Sequence, residues 1–251
     1  MSRLLGIFFE RNTKLSQLFE KKFNWRNDKY FWVQFDSNVR QALLSLAPGS
    51  RVADLGGGRR FLYRQAVPDQ VEIWSIDIDQ NELDLNQDVQ IKICGDISKT
   101  LPIDENFFDL IISRALLEHV ADNESAFQEM RRILKPNGTM VHLIPARNST
   151  FGIAARIFPF EKLKNLLHVS VPDAKGQVEF PIFYNKCTPK QMKNLLNELG
   201  FRKVQIDVCY YASGYFYSVF PLYLFISLYQ YIIRRSNLRF LSQYMIVRLS
   251  K

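Results

Sequence analysis

Residues 51–60, RVADLGGGRR, constrain the fold of this chain more than any other stretch. Val52, Ala53 and Leu55 have the apolar pattern of a buried strand, and three glycines follow them directly. Because glycine has no Cβ, the backbone can turn sharply there and still lie close to whatever sits above the turn. This pattern is typical of a strand end in an open α/β sheet, where backbone N–H groups face a ligand.

Three ligands fit such a turn: a dinucleotide, a nucleotide phosphate or S-adenosylmethionine. The dinucleotide fingerprint G-x-G-x-x-G needs a third glycine where this chain has Phe61, and a phosphate-binding loop needs a G-K-[ST] ending that is missing here. What remains is a D-x-G-x-G motif formed by Asp54, Gly56 and Gly58, with Gly57 inside it. A glycine-rich turn without any ligand is the alternative.

Strand and helix patterns alternate on both sides of this turn. Strands are predicted at 51–55, 71–77, 88–94, 107–113, 139–145, 201–210 and 242–250, and helices at 59–66, at 121–135 and from Thr188 to Gly200. Alternation of this kind predicts a parallel, doubly wound sheet whose ligand lies at the carboxyl ends of the strands.

Acidic residues stand where such a ligand would need them. The second predicted strand ends in SIDID, so Asp77, with Asp79 as the fallback, can accept hydrogen bonds from both ribose hydroxyls of a nucleoside. The third strand ends in Cys94-Gly95-Asp96, and Leu101-Pro102 follows. An acidic turn exposed to solvent is the plain alternative for the acids of SIDID.

Two further segments complete a recognisable set: NFFDLIISRALLEHV and FQEMRRILKPNG. Together with the D-x-G-x-G, SIDID and CGD motifs, they resemble the class I S-adenosylmethionine-dependent methyltransferases, and the type 11-like members in particular. The resemblance covers residues 51–145. It departs from the family at Arg60, where many members carry another glycine, and a side chain pointing inward there would crowd the methionine end of the cofactor.

The resemblance implies a Rossmann-like α/β fold: a doubly wound, mostly parallel seven-stranded sheet with the last strand antiparallel. It implies a methyltransferase that uses S-adenosyl-L-methionine, with Asp77 on the ribose and Asp96 on the adenine amino group. The full set of cofactor-binding residues that it implies is Asp54, Gly56, Gly57, Gly58, Asp77, Ile78, Asp96, Ile97 and Ser113.

His119 is the candidate catalytic residue because it lies just past the carboxyl end of the fourth predicted strand. Methyl transfer needs no base when the acceptor is already ionised, whereas a hydroxyl acceptor gains from one. A histidine that only fixes the loop or touches the cofactor is the alternative. His142 alternates within a strand and is expected in the core or on a sheet face.

The acceptor is predicted to be a small molecule or a lipid-linked sugar or glycolipid, methylated on oxygen. Methyltransferases that act on exocyclic amines of nucleic acids normally carry [DN]-P-P-[FY] after the fourth strand, and this chain has Ser113-Arg114-Ala115-Leu116 there, so nucleic acid is not expected as a partner. A net charge of +8 favours anionic partners. The sugar or glycolipid acceptor follows from a less specific resemblance to methyltransferases of bacterial surface-polysaccharide or glycolipid assembly. A protein of the same fold that binds the cofactor without catalysis is the alternative.

The organisation outside the motifs is predicted as a helical cap at 1–47 and a methyltransferase domain at 48–251, with insertions at 147–187 and 212–241. Residues 208–233 carry no charge and are rich in tyrosine, which fits a lid over the substrate pocket, an interfacial membrane anchor or a span. Helical structure over 212–236, covering the substrate side and resting on an anionic membrane, is the preferred prediction. Three scattered cysteines without zinc-site spacing favour a reducing cytoplasm, with the protein peripheral on the inner face of the membrane. No metal site is predicted.

Overall fold

The protein is described by a computed structural model that covers residues 3–22, 31–157, 180–211 and 216–251. Its centre is a seven-stranded sheet in the order β3-β2-β1-β4-β5-β7-β6. The strands are β1 (Arg51–Leu55), β2 (Glu72–Asp77), β3 (Ile91–Cys94), β4 (Phe108–Arg114), β5 (Leu134–Pro145), β6 (Arg202–Cys209) and β7 (Tyr244–Ser250). Strands β1 to β5 pair in parallel and β7 runs antiparallel to β5, which confirms the predicted Rossmann-like sheet.

The α-helices lie between and before these strands. They are α1 (Arg3–Lys22), α2 (Phe31–Leu44), α3 (Gln80–Leu85), α4 (Asn123–Ile133), α5 (Thr150–Ile157), α6 (Pro189–Glu198) and α7 (Phe220–Arg235). Asp122 caps α4 and Thr188 caps α6, each by accepting backbone N–H bonds. The apolar pattern of the sequence did not predict α3, which is only six residues long.

The predicted fifth strand begins too late by five residues. Observed β5 starts at Leu134, which pairs with Phe108, and the register then shifts so that Thr139 pairs with Leu110. Asn137 adopts a positive φ of 66° inside this irregular stretch. The segment Lys135-Pro136-Asn137-Gly138 therefore forms a bulge within the strand.

The helix predicted at 59–66 is absent, and the chain forms only a short 3₁₀ turn at Arg64–Ala66. Phe61, Tyr63 and Ala66 are all buried, so the segment packs its apolar residues without a helical stripe. The backbone N–H of Phe61 donates to Asp88 Oδ2 at 3.0 Å, a contact from far along the chain that local periodicity does not reveal.

The chain divides into two compact units. The sheet unit comprises Phe31–Arg147, Ile182–Asp207 and Tyr244–Lys251, and the helical unit comprises Met1–Tyr30, Asn148–Pro181 and Val208–Gln243. Helix α2 thus belongs with the sheet and α1 with the aromatic insertion. The predicted insertion at 147–187 contributes α5, and its residues 158–179 lie outside the described part of the chain, as do residues 212–215 of the second insertion.

The helical unit is held by contacts between α1 and α7. The Phe19 ring meets the rings of Phe220 and Tyr223 edge to face, and Ser16 Oγ donates to the Tyr217 carbonyl at 2.9 Å. Asn12 Oδ1 accepts from the Phe220 N–H at 2.9 Å, which fixes the start of α7. Across the described residues, no helix is both long enough and apolar enough to cross a bilayer.

The core of the sheet unit lies around β4 and β5. Leu110, Ile111 and Ile112 are almost fully buried, as is His142, whose Nδ1 lies 2.8 Å from Ser113 Oγ. The core position expected for His142 is confirmed. Burial lowers the pKa of this imidazole from 6.5 to about 3, so it is neutral in the native protein at neutral pH.

The buried His142 should make the protein sensitive to acid. Between pH 6.5 and 3 His142 is protonated in the unfolded chain but stays neutral in the native protein. The free energy of unfolding therefore falls as the pH falls. We expect the stability advantage of wild type over His142→Gln to shrink on acidification by at most about 1.4 kcal/mol per pH unit. Urea unfolding at several pH values measures this.

Ser113→Ala is the matched control, because it removes the hydrogen bond and keeps the buried imidazole. Its stability should fall with pH in parallel with wild type. If the stability difference between wild type and His142→Gln stays constant from pH 6.5 to 5, the assignment of His142 as a neutral imidazole is contradicted.

Candidate active site

The predicted site residues gather at the carboxyl ends of β1, β2, β3 and β4. These strands are direct neighbours in the sheet, with β1 between β2 and β4. Leu55 pairs with both Ile76 and Ser113, and Asp77 pairs with Cys94. The parallel register therefore brings the glycine turn, SIDID and CGD to one edge.

The glycines after β1 are required by packing as well as by the turn. A Cβ on Gly57 would lie 2.3 Å from Ser75 Oγ and 2.8 Å from Asp54 Oδ2, which is closer than any real contact. Gly56 has a positive φ of 69° and the side chain of Leu116 beside it. A larger residue at Gly57 would have to displace the side chains of Ser75 and Asp54, and one at Gly56 would adopt a strained backbone conformation.

Two of the three glycine amides are already used within the protein. The Gly56 N–H donates to the Ile76 carbonyl at 2.8 Å, and the Gly58 N–H donates to Asp77 Oδ2 at 3.0 Å. The turn therefore presents fewer free N–H groups to a ligand than the sequence pattern suggests. The main structural effect of the turn is to hold the Asp77 carboxylate in place.

The end of the turn is fixed by the segment that follows β2. Asn86 Nδ2 donates to the Gly58 carbonyl at 2.8 Å, and Arg59 makes two hydrogen bonds to Glu82, at 2.6 and 2.7 Å. The neighbouring Arg60 is exposed to solvent. Sequence reasoning missed Asn86, and a polar residue at the end of a short helix gives little signal for such a role.

Asp77 and Asp79 have different tasks. Asp77 Oδ1 accepts the Asp79 N–H at 3.0 Å, so each Asp77 oxygen has one internal bond and a further lone pair for a ribose hydroxyl. Asp79 caps α3 by accepting from the Asn81 and Glu82 amides. Between them, Ile78 is 60% exposed, an apolar side chain suited to lie against an adenine ring.

Asp54 lies behind the glycine turn in a less hydrated place. Burial, together with the nearby charge of Asp77, raises the pKa of its carboxyl to about 8. At neutral pH Asp54 is therefore mostly protonated in the free protein and can donate a hydrogen bond. A cationic ligand group nearby would favour its ionised form.

Asp96 is arranged as an acceptor at the end of β3. Its Oδ1 accepts from the Ser98 hydroxyl at 2.6 Å and from the Ser98 N–H at 2.9 Å, and these bonds hold the pKa of Asp96 below its usual value. Lys99 Nζ lies 3.6 Å from the other oxygen. Ile97 is buried, so contact with a ligand would come through its backbone.

A clasp from α4 fixes the loop that follows Asp96. Glu129 Oε1 accepts the Leu101 N–H at 2.8 Å, while Arg132 donates to Glu129 and to the Leu101 carbonyl. The E-x-x-R spacing places both side chains on one face of the helix, so together they hold both polar groups of one peptide residue. This motif therefore has a structural task, which is to hold the loop that follows β3.

The loop after β4 carries the candidate catalytic residue. Ala115 has a positive φ of 53° and leads into a 3₁₀ turn, Leu117–His119, where His119 is partly exposed. His119 Nε2 lies 3.6 Å from Glu118 Oε1. The Ser113 hydroxyl is bonded to His142 in the interior, so contact of Ser113 with the cofactor would come through its backbone.

Glu118 is a site residue that sequence reasoning missed. It is 4% exposed, its Oε2 has no hydrogen-bond partner among the described residues, and burial raises the pKa of its carboxyl to about 8. Its backbone carbonyl accepts the N–H groups of Phe183 and Tyr184, which lie far along the chain. The L-E-H sequence alone gives no sign of a buried carboxyl at this position.

These groups fit S-adenosylmethionine. Acceptors for a ribose and an amino group stand at the ends of β2 and β3, with exposed Ile78 next to them, and a Cβ on Gly58 would meet only Asp77 Oδ2, at 3.8 Å, so space remains above the turn. In the described part of the chain, no three His, Cys, Asp or Glu side chains are placed to hold a metal ion.

Comparison with known proteins gives the same family. Residues 53–142 match a family model described as a methyltransferase domain. The ubiquinone/menaquinone biosynthesis C-methyltransferase UbiE of Vibrio campbellii is 29% identical over 154 residues, which is 53% of this chain and 58% of that protein. UbiE of Cupriavidus necator is 30% identical over 122 residues, 45% of this chain and 48% of that protein. The chain thus spans about half the length of the curated relatives it matches.

Solved structures share the fold. A SAM-dependent methyltransferase from Archaeoglobus fulgidus superposes with a TM-score of 0.54 at 17% identity, covering 93% of this chain and 98% of that one. Phosphoethanolamine N-methyltransferase 2 of Haemonchus contortus, in complex with S-adenosyl-L-methionine, superposes with a TM-score of 0.52 at 16% identity. The match covers 85% of this chain and 52% of that one.

The family match falls on the strands and loops that carry the glycine turn, Asp77, Asp96 and the Glu129–Arg132 clasp. Residues 53–142 therefore form a methyltransferase domain of the class I S-adenosylmethionine-dependent family, with S-adenosylmethionine as its cofactor.

Proposed function

We propose that this protein transfers the methyl group of S-adenosylmethionine to an oxygen atom of a small-molecule or lipid-linked acceptor. The observation that carries the proposal is the Asp77 carboxylate, which the Gly58 and Asp79 amides hold at the strand edge with lone pairs to spare. Asp96 supports it from the adjacent strand.

The protein's own groups divide the work. The cofactor supplies a methyl group on a cationic sulfur, which an acceptor oxygen takes in line as the carbon–sulfur bond breaks. Asp77, Ile78 and Asp96 hold the nucleoside part, so the reacting atoms are positioned, an effect worth up to about 7 to 11 kcal/mol in well-oriented systems. His119 takes the proton of a hydroxyl acceptor, with Glu118 Oε1 3.6 Å from its Nε2.

Methylation on carbon is the second candidate. The curated relatives carry the name C-methyltransferase, although they match over about half their length. An acceptor with an ionisable hydroxyl can react at oxygen or at an adjacent ring carbon, and a base at His119 serves both. A protein that binds the cofactor without turnover remains the alternative from a different class.

We further propose that the helical unit rests on an anionic membrane surface. Exposed apolar side chains follow one side of α7, at Leu222, Phe225, Leu228 and Ile232, and Phe8, Leu15 and Leu18 are exposed on α1. Spacings of three, four or seven residues place each set along one helix face. Exposed Arg11, Lys21 and Arg235 lie on the same two helices and supply charge for acidic lipid, about 1 kcal/mol each.

Asp77 should be needed for cofactor affinity. Asp77→Asn keeps the size of the side chain and removes the charge, and a hydrogen bond to a charged acceptor is worth about 1.5 to 3 kcal/mol. We expect binding of S-adenosylmethionine, measured by calorimetry, to weaken at least about tenfold. Asp79→Asn is the control, since asparagine caps a helix as well as aspartate does and binding should be retained. Equal affinities of wild type and Asp77→Asn would exclude the ribose assignment.

His119 should matter for turnover more than for binding. Protein incubated with methyl-labelled cofactor, together with lipid-phase or water-phase extracts of cells that lack its gene, should transfer label to one phase, and this distinguishes lipid-linked from free acceptors. His119→Gln should slow the transfer about 10²-fold or more at unchanged cofactor affinity. A loss of cofactor affinity alone would indicate a structural histidine. Cofactor binding without label in either phase would support the non-catalytic alternative.

Membrane binding should depend on the apolar side chains of the helical unit. We expect co-sedimentation with vesicles that contain acidic lipid at low salt and much less binding at high salt or with neutral lipid. Phe225→Asp, at a side chain that is 68% exposed, should abolish it, and Leu44→Asp, at an equally exposed residue of the sheet unit, should not. Recovery of wild type in the supernatant under every condition would reject the membrane proposal.

A further inference from the structure

Arg114 is a cation at the reactive edge of the sheet that the site described above leaves unused. It is the last residue of β4, directly after Ser113, and its side chain is exposed. Within the described ranges no carboxylate forms an ion pair or hydrogen bond with it. Its guanidinium carbon lies 4.9 Å from the centroid of the Trp32 ring.

Trp32, Tyr244 and Tyr63 belong to the same unit as Arg114. The Trp32 ring meets Tyr244 edge to face at 5.2 Å, and Tyr244 pairs with Pro145 at the carboxyl end of β5. Tyr63 lies within electrostatic reach of both Arg114 and Asp54, which links this group to the glycine turn. The nearby carboxylate Asp36 accepts a hydrogen bond from the Tyr63 hydroxyl, at 2.7 Å from Asp36 Oδ1.

The position over the Trp32 ring places the guanidinium without satisfying its N–H groups. A planar guanidinium on an aromatic face keeps its donors directed outward at its edge, where they match the two oxygens of a carboxylate or phosphate. The sulfur that carries the methyl group is also cationic. An anionic acceptor would therefore balance two positive charges at this edge of the sheet.

We propose that Arg114, oriented by Trp32, binds an anionic group of the methyl acceptor, either a carboxylate or a phosphate. The inference rests on the proposed function and narrows its substrate class to acceptors that carry such a group beside the methylated atom. Arg114 would set specificity for the acceptor and would take no part in holding the cofactor.

The test uses the full chain saturated with S-adenosylhomocysteine and titrated with three probes: benzoate, phenyl phosphate and the neutral benzamide. We expect at least one anion to bind more tightly than benzamide, and Arg114→Gln to weaken that binding at least tenfold with unchanged affinity for S-adenosylhomocysteine. Arg114→Lys should keep the charge and lose part of the affinity, because ammonium cannot make the paired contact. The anion preferred by wild type distinguishes carboxylate from phosphate.

Arg40→Gln is the matched control, because Arg40 is also exposed and its guanidinium lies 5.9 Å from the Tyr63 ring. It should leave anion binding unchanged. Anion binding that is equal in wild type and Arg114→Gln, lost equally in Arg40→Gln, or absent from wild type would overturn the inference. Failure of wild type to bind S-adenosylhomocysteine would instead overturn the proposed function, so the two failures are distinguishable. Thermal unfolding of each variant checks that it is folded.

Discussion

The hydrogen bond from the Gly58 N–H to Asp77 Oδ2 is the contact on which the cofactor side of this protein depends. It joins the turn after β1 to the end of β2, and it needs a chain that turns without side chains, because a Cβ on Gly57 would overlap Ser75. The same turn is fixed from below by Asn86 at the Gly58 carbonyl. In the described stretch between β1 and β2 the chain forms no α-helix, and contacts from the segment after β2 hold the loop instead. These contacts fix the position of the Asp77 carboxylate.

The end of β3 is organised by the same principle with different groups. Asp96 is oriented by Ser98, and the loop that follows is held by Glu129 and Arg132 at Leu101. At the amino ends of the strands, Asp109 accepts hydrogen bonds from the Arg51 N–H and from the Lys135 ammonium. These bonds join the starts of β1, β4 and β5. Several residues of the recognised motifs therefore act by fixing loops and strand starts, and only a few offer free polar groups to a ligand.

The end of β4 and the loop after it have a different character. They present His119 beside the buried Glu118, and Arg114 over the Trp32 ring, whereas the ends of β2 and β3 present carboxylates. The backbone carbonyl of Glu118 accepts the N–H groups of Phe183 and Tyr184, which lie far along the chain. A carboxyl with a raised pKa next to a histidine, and an exposed arginine with aromatic neighbours, are the arrangement that an ionisable, anionic acceptor would need.

The sequence by itself determined most of the strands, their mostly parallel pairing and the carboxylates at their ends, because apolar periodicity and glycine placement act within a few residues. It also determined the family, since the motifs keep their spacing. It did not determine the missing helix at 59–66, the bulge in β5, the burial of Glu118 or the stacking of Arg114 on Trp32. Each of these depends on partners distant in the chain, such as Asp88 for Phe61, and such contacts exist only once the sheet has formed.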